Sequence, residues 1–210
     1  MELKNPTTDP TDISFLRERL PELDGLLAIG RKHLFDEMHA VHVTALSLSL
    51  FDQLEGLHGL TGEDRRLLSM AALLHDIGTC FGYEKHHKTG MELIRKAGIP
   101  GLDAREELIV ANVARYHRKK EPDRKHEAFA LLKAPDRERV VKLSSLLRMA
   151  DALDHDHEGR IRHVHVDAGK GGLRFSVEAS ADIKNETASF RKKSQMFQDT
   201  FHRTVSLGKD

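Results

Sequence analysis

Between Asp36 and Leu153, apolar residues recur at three- and four-residue spacing in one segment after another, each bounded by a capping side chain, a glycine or a proline. A chain written this way buries its apolar stripes by packing helix on helix. The first long helix starts at Asp36 and carries Val41, Ala45, Leu48, Leu50, Phe51 and Leu54 up to Gly56. Thr61 and Asp64 make a capping-box-like start for the second, which runs through Leu67, Leu68, Ala71, Leu74 and His75 until Gly78 stops it. After a loop with Gly82, residues 86–97 form a short helix closed by Gly98. Asp103 opens the next, through Leu108, Val110, Val113 and Tyr116, which dissolves in the polar stretch RKKEPDRKH. Residues 136–153 form the last of this run, with Val140, Leu143, Leu146, Leu147 and Ala150 on one stripe. Five helices therefore precede residue 155.

The flanks read differently. Residues 1–12 are polar, hold two prolines and show no periodicity, so they form a loose arm from which Asp12 caps a short helix. After Gly159, Ile161, His163 and His165 alternate with Arg162, Val164 and Val166. AGKGG then turns the chain, and Leu173, Phe175 and Val177 alternate in the same manner. This is a β-hairpin. Residues from about Glu186 to Thr200 are helical, with Phe190, Phe197 and Phe201 as anchors, and Thr204–Leu207 can add a third strand. The expected fold is mainly α with a small C-terminal β-hairpin plus helix. It divides into an arm and short helix over 1–35, a helical domain over 36–158, and an α+β appendage over 159–210 packed on that domain.

With 33 basic against 33 acidic residues, no net field draws the chain to DNA or to an acidic membrane. Any anion binding must be local. The lone cysteine, Cys80, excludes an internal disulfide and a multi-thiolate zinc site, and no run of signal or membrane-spanning length occurs, so a cytoplasmic protein is expected. Fourteen histidines stand out instead. Imidazole and carboxylate together suit a borderline or hard divalent metal.

The sharpest local feature is ALLHDIG, residues 72–78, an apolar run ending in adjacent His75 and Asp76. Alone the dipeptide says little, since surface and capping uses are the commoner fate of such a pair. Its context says more: His39, His117 and Asp151 each lie near a helix end beside an apolar stripe. Polar groups near a core need partners or cost about 1–3 kcal/mol each. A shared cation would satisfy several at once.

His39, then His75 with Asp76, then His86, His117 and Asp151, in the contexts HAVHVTAL, HHKTGMELI and MADALD, resemble the HD-domain metal-dependent phosphohydrolases. A closer similarity is to the C-terminal HD-type domain of the exopolyphosphatase and guanosine pentaphosphatase family. It is carried by LFDQLEGLHGL, RRLLSMAALLHDIG, HHKTGMELI, PGLDAREELIVANVARYHRKKEPDRKH and LLRMADALD, with MFQDTFHRTVSL resembling that family's tail. It covers nearly the whole chain from about residue 35. The family's N-terminal actin-like phosphatase domains have no counterpart in these 210 residues, so their polyphosphate-cleaving activity is not carried over.

The resemblance implies an HD-domain helical fold. It also implies two divalent transition metal ions, with Mn, Fe, Ni, Co or Zn as candidates and Mg also open. His39, His75, Asp76 and Asp151 would hold one ion, and Asp76, His86 and His117 the other, with Asp76 as bridge. In that reading Asp76, His86 and His117 are catalytic, because two close cations lower the pKa of water and hold phosphoryl oxygens while charge develops. The implied reaction is hydrolysis of a phosphoester or phosphoanhydride of a small phosphorylated compound, a nucleotide first among them. The alternative is a binding module that holds polyphosphate or a nucleotide without turnover. No DNA or membrane partner is expected, and a homodimer is the assembly left open.

Several polar residues have competing readings. His86 is preferred to His87 on its offset from Gly90, and His42 reads as a core-edge or substrate-side residue. His155 and His157 in DHDHEG, with Asp154 and Asp156, could form an additional metal site, but the preferred reading is a solvated helix-end loop. His163 and His165 share a strand face that could line a pocket or simply be wet, and Cys80 reads as a small filler. Between 115 and 125 lie Arg115, Arg118, Lys119, Lys120, Arg124 and Lys125, mostly a solvated face. Arg118 and Lys119, with Lys88 and Arg148 behind them, are the residues expected to reach a substrate phosphate. Two relatives fit poorly. The cyclic-dinucleotide diesterases need a GYP-containing loop where this chain has RKKEPDRKH, and the guanosine tetraphosphate hydrolases carry an acidic pair where it has HDIGTCFG.

Overall fold

The structure, a computed structural model, describes residues 13–169 and 171–209. The expectations for residues 1–12, with Asp12 as a cap, fall outside the described residues. A short helix α1 (Ser14–Arg17) and a longer α2 (Leu23–Lys32) come first, and Leu16, Leu20, Leu23, Leu26 and Leu27 are all buried. Burying each leucine contributes about 2 kcal/mol, which ties this segment to the core.

Helix α3 (Glu37–Gln53) is the centre of the molecule. It has no acidic or basic side chain other than histidine between Glu37 and Asp52, and every residue from His39 to Phe51 is buried. A helix apolar on all sides must be covered on all sides. Asp36 caps it, accepting from the His39 backbone N–H at 3.1 Å. It stops at Gln53 and not at Gly56; a single further turn, α4 (Glu55–His58), follows and ends at Gly59 in the left-handed conformation. α5 (Gly62–Leu74) starts with the Thr61–Asp64 capping box, and a 3-10 turn (Thr79–Phe81) leads to α6 (His86–Ala97). α7 (Ala104–Arg115) starts with a capping box between Asp103 and Glu106. After the short α8 (Glu127–Ala130), α9 (Ala134–Leu153) begins two residues before the expected start, with Pro135 in its first turn. α5 and α9 pack on α3, α7 closes the group against both, and α6 lies on α7.

Strands β1 (Ile161–Gly169) and β2 (Gly172–Ala179) form the hairpin, and β3 (Val205–Lys209) adds in parallel to β2. The single helix expected over 186–200 is two, α10 (Lys184–Lys193) and α11 (Gln195–Phe201). At Ser194, between them, the side-chain hydroxyl donates back to the Arg191 carbonyl, competing with the helical ladder. Both helices lie on α9. β1 also departs from simple alternation. An irregularity between Ile161 and His163 shifts the register, turning Val164 and Val166 inward and leaving His163 and His165 outward. Gln53 holds the result, donating to the Val164 carbonyl at 2.8 Å and accepting from the Val166 N–H at 2.9 Å. No helix of the described residues is long and apolar enough to cross a membrane.

Candidate metal centre

Five helices of the core present ends to one place. His39 lies in the first turn of α3, His75 directly follows α5, Asp76 sits in the next turn, and His86 opens α6. His117 comes just after α7, and Asp151 lies in the last turn of α9. Gly78 makes this convergence possible. A Cβ there would stand 2.1 Å from the His86 carbonyl oxygen and 2.6 Å from the Gly90 nitrogen, so only glycine lets the first turns of α6 lie against the HDIG turn. Its φ of −79° is unremarkable, and the requirement is one of space.

The imidazoles are pinned from behind. His75, His86 and His117 each place Nδ1 against the carbonyl oxygen three residues earlier, at Ala72 (2.7 Å), Tyr83 (2.8 Å) and Ala114 (2.6 Å). A carbonyl only accepts, so Nδ1 carries the proton and Nε2 is the atom left for the cluster. His39 is held the same way by the Asp154 carboxylate, 2.8 Å from its Nδ1. On the inner side, Asp76 Oδ1 lies 3.0 Å from His86 Nε2, 3.3 Å from His117 Nε2 and 3.7 Å from His75 Nε2. Asp151 Oδ1 is 3.8 Å from His39 Nε2 and 3.9 Å from His75 Nε2.

Three donor triads result among the described residues, the fully buried His39–His75–Asp151 and Asp76–His86–His117 and a third, His39–Asp76–His157, with one exposed member, each with its ligand atoms within 4.8 Å of one another. His39 Nε2, His75 Nε2 and Asp76 Oδ1 are buried and have no hydrogen-bond partner among the described residues. Orphaned buried acceptors are costly, and a cation satisfies several together. The donor set of imidazole and carboxylate, with Nδ1 fixed by an outer partner, suits a divalent metal.

Burial, working against the nearby Asp76 carboxylate, holds His75 and His117 below the usual histidine range, which keeps them in the neutral form that binds metal. Burial acts on His39 in the same direction, but the Asp154 hydrogen bond and the Asp151 charge outweigh it and raise His39.

Residues 25–193 match the family described as Ppx/GppA phosphatase, domain III. The chain belongs to the Ppx/GppA phosphatase domain III family. Among curated proteins it is similar to the guanosine-5'-triphosphate,3'-diphosphate pyrophosphatase of Pseudoalteromonas translucida (strain TAC 125), 30% identical over 102 residues. That match covers 46% of this chain and 19% of the relative.

In this domain III chain a cleft of about 590 Å³ opens onto the cluster, where Asp76, His86, His117 and Asp151 line it. Arg118, Lys119 and Arg148 line it too. The Arg118 guanidinium lies 4.5 Å from the centre of the Tyr83 ring, and its Nη1 is 3.5 Å from His86 Nε2. Arg148 is buried and donates to the Lys119 carbonyl at 2.9 Å, so it holds the loop more than it offers itself to solvent. Lys119 occupies the left-handed region at φ 61°. Lys88 is not on the cleft; it lies in a neighbouring depression with His87, Arg115 and Lys120, which Lys119 also lines. His87 faces that depression, and burial with the nearby His86 and Arg118 pushes it down to about 4.

Other residues fall outside the expectations. His42 is wholly buried with neither ring nitrogen partnered among the described residues. Cys80 is exposed and therefore fills nothing. His163 and His165, by contrast, follow the wet-face reading and face solvent beside Glu178 and Asp167. His155 and His157, expected in a solvated loop, line the cleft, and His157 stacks on His39 with ring centres 3.5 Å apart. Its Nδ1 contacts Asp36 Oδ2 at 3.1 Å. The residues that sequence reasoning missed are the α10 wall of Asn185, Ser189, Lys192 and Lys193, together with the orienting role of Asp154 on His39; His157 and Asp154 belong to DHDHEG, one reading of which is an additional metal site. The repeat of Asp three positions after Asp151 and the DHDHEG run were the signals for Asp154, and nothing local marked the α10 residues.

Proposed function

We propose that the chain is an HD-type, metal-dependent phosphohydrolase that cleaves a phosphoester or phosphoanhydride bond in a small phosphorylated compound, a nucleotide above all. The observation that carries this reading is the two fully buried donor triads, His39–His75–Asp151 and Asp76–His86–His117, with three orphaned ligand atoms among them, beside a cleft lined by Arg118, Lys119, Lys192 and Lys193. His39, His75, Asp76 and Asp151 hold one divalent ion, and Asp76, His86 and His117 a second. Bound there, such ions polarise a phosphoryl oxygen and lower the pKa of water. Asp154 keeps the His39 ring turned inward, and the Ala72, Tyr83 and Ala114 carbonyls do the same for His75, His86 and His117. Arg118, braced on Tyr83, presents its guanidinium to the phosphoryl oxygens of the substrate, a geometry suited to bidentate contact. Arg148 fixes the Lys119 backbone where Lys119 lines the cleft.

Family membership supports the reaction class. The relative's name describes a pyrophosphatase of a guanosine nucleotide, and phosphoanhydride hydrolysis on a nucleotide is the corresponding reading for this chain. The test is a panel of nucleotides and phosphoesters incubated with purified protein and Mn²⁺. Turnover of at least one member, abolished by a chelator and restored by metal, is the expected result. Binding of nucleotides or polyphosphate without turnover of any member would replace the enzyme by a binding module, and failure to take up any divalent ion would remove the metal centre.

A further inference from the structure

The side of the cleft formed by α10 sends one residue into the cluster itself. Lys193 closes α10, and its Nζ is in direct contact with Asp151 Oδ2, while the other oxygen of that carboxylate faces His39 and His75. Its place is set by the core. Phe190, one turn earlier, packs edge-on against Phe175 at 5.2 Å between ring centres, and α10 runs against α9, which carries Asp151. An ammonium on a buried carboxylate that is also a metal-ligand candidate has a competitor, because a divalent ion needs the same negative charge.

We propose that Lys193 sets the metal affinity of the cluster by competing for Asp151 and, when displaced, contacts the oxyanion of a bound phosphate. The inference rests on the metal reading of the cluster. A buried carboxylate requires a counter-charge, and an ammonium already on Asp151 both neutralises it and repels an incoming cation, so Lys193 weakens Asp151 as a metal ligand and the two compete. The lysine stem is long and flexible enough to re-aim a compact charge without moving α10. The cleft gives that charge a second destination, because Lys193 lines it together with Arg118 and Lys192.

The two partners give Lys193→Met effects of opposite sign. Calorimetric titration with Mn²⁺ alone is expected to show binding several-fold tighter than in the wild type. Titration of the Mn²⁺-loaded protein with inorganic phosphate is expected to show binding several-fold weaker. Lys193→Arg should return both values toward the wild type, and Lys193→Gln repeats the comparison should Lys193→Met fail to fold. A purely structural lysine would weaken both interactions or neither. Unchanged or weaker Mn²⁺ binding in the variant, or unchanged phosphate binding, overturns the proposal while leaving the metal reading intact. A wild-type protein that binds no Mn²⁺ overturns both.

Discussion

His86 Nε2 and His117 Nε2 face each other across 3.1 Å, with Asp76 Oδ1 at 3.0 Å from the first and 3.3 Å from the second. Both rings are locked with Nδ1 on a backbone carbonyl, so three lone-pair-bearing atoms crowd one point, and a positive charge there relieves all of them.

This arrangement predicts an ordering of metal contents. Asp76→Ala removes the oxygen next to both fully buried triads and should empty both positions. His86→Ala and His117→Ala should each release one ion and spare the one held by His39, His75, Asp76 and Asp151. Activity should fall in all three variants. Metal analysis of the purified proteins checks the ordering, and full metal content in His86→Ala and His117→Ala would leave a one-ion centre.

Gly78 and Gly90 face each other where α6 meets the HDIG turn, yet they should respond oppositely to alanine. At Gly78 the added carbon would lie 2.1 Å from backbone, so Gly78→Ala must push α6 outward, at a cost of about 3 kcal/mol, and carry His86 away from Asp76. At Gly90 the nearest atoms are 3.5 Å away, ordinary contact, and helix propensity favours alanine by about 0.5–1 kcal/mol. Melting temperature and metal content together read this. A Gly78→Ala protein with wild-type values of both would show that the close approach is not needed.

What the sequence disclosed followed the range of the forces involved. Asp36, Thr61 with Asp64, and Asp103 announce helix starts because a cap is a contact within one turn, and all three cap as their positions suggest. The core stripes of α3, α5, α7 and α9 were legible for the same reason. The irregularity in β1 was not, since Gln53, more than a hundred residues away, fixes which side of the strand faces inward. The contacts of His157 and Lys193 with the cluster were hidden in the same way. One reaches the cluster through a stack on His39, the other through the packing of α10 on α9, and neither contact leaves a pattern in the neighbouring residues.

Arg118 and Lys119 should act on anion binding, and Arg148 on both binding and fold. The first two present charges to the cleft and form no ion pair among the described residues, so replacing both with alanine should leave the melting temperature nearly unchanged. A lost charge-assisted hydrogen bond is worth about 1.5–3 kcal/mol, so inorganic phosphate should bind the double variant at least roughly tenfold more weakly. Arg148→Ala frees the Lys119 carbonyl and removes a buried side chain from beside Tyr116 and Met196, and it should lower the melting temperature as well. A double variant that melts early and binds phosphate normally would make the loop structural.

Far from the cleft, Asp136 ties the start of α9 to α7. It lies fifteen residues before Asp151 on the same helix, about 22 Å along the axis. Arg105 donates to it at 2.8 Å, and Arg139 lies on its other side with Asp64. The Arg105 hydrogen bond, against the opposing effect of burial, holds the Asp136 carboxyl below the usual carboxylate range, with the Arg105 charge and Arg139 adding to it. A carboxyl whose folded pKa is depressed contributes stability that is fully present above its unfolded value, near 4, and is lost as pH falls through the lower folded value. Asp136→Asn should therefore destabilise the protein at pH 7 by about 2 kcal/mol, or about 4–8 °C in melting temperature. The gap between variant and wild type should narrow as the pH is lowered below about 4, because the wild type then loses what the variant never had. Metal content should not change, given the distance to the cluster. Thermal melts of both proteins from pH 7 to pH 3 test the sign, and a gap that stays constant or widens toward acid would mean that the Asp136 charge is not what holds the two helices together.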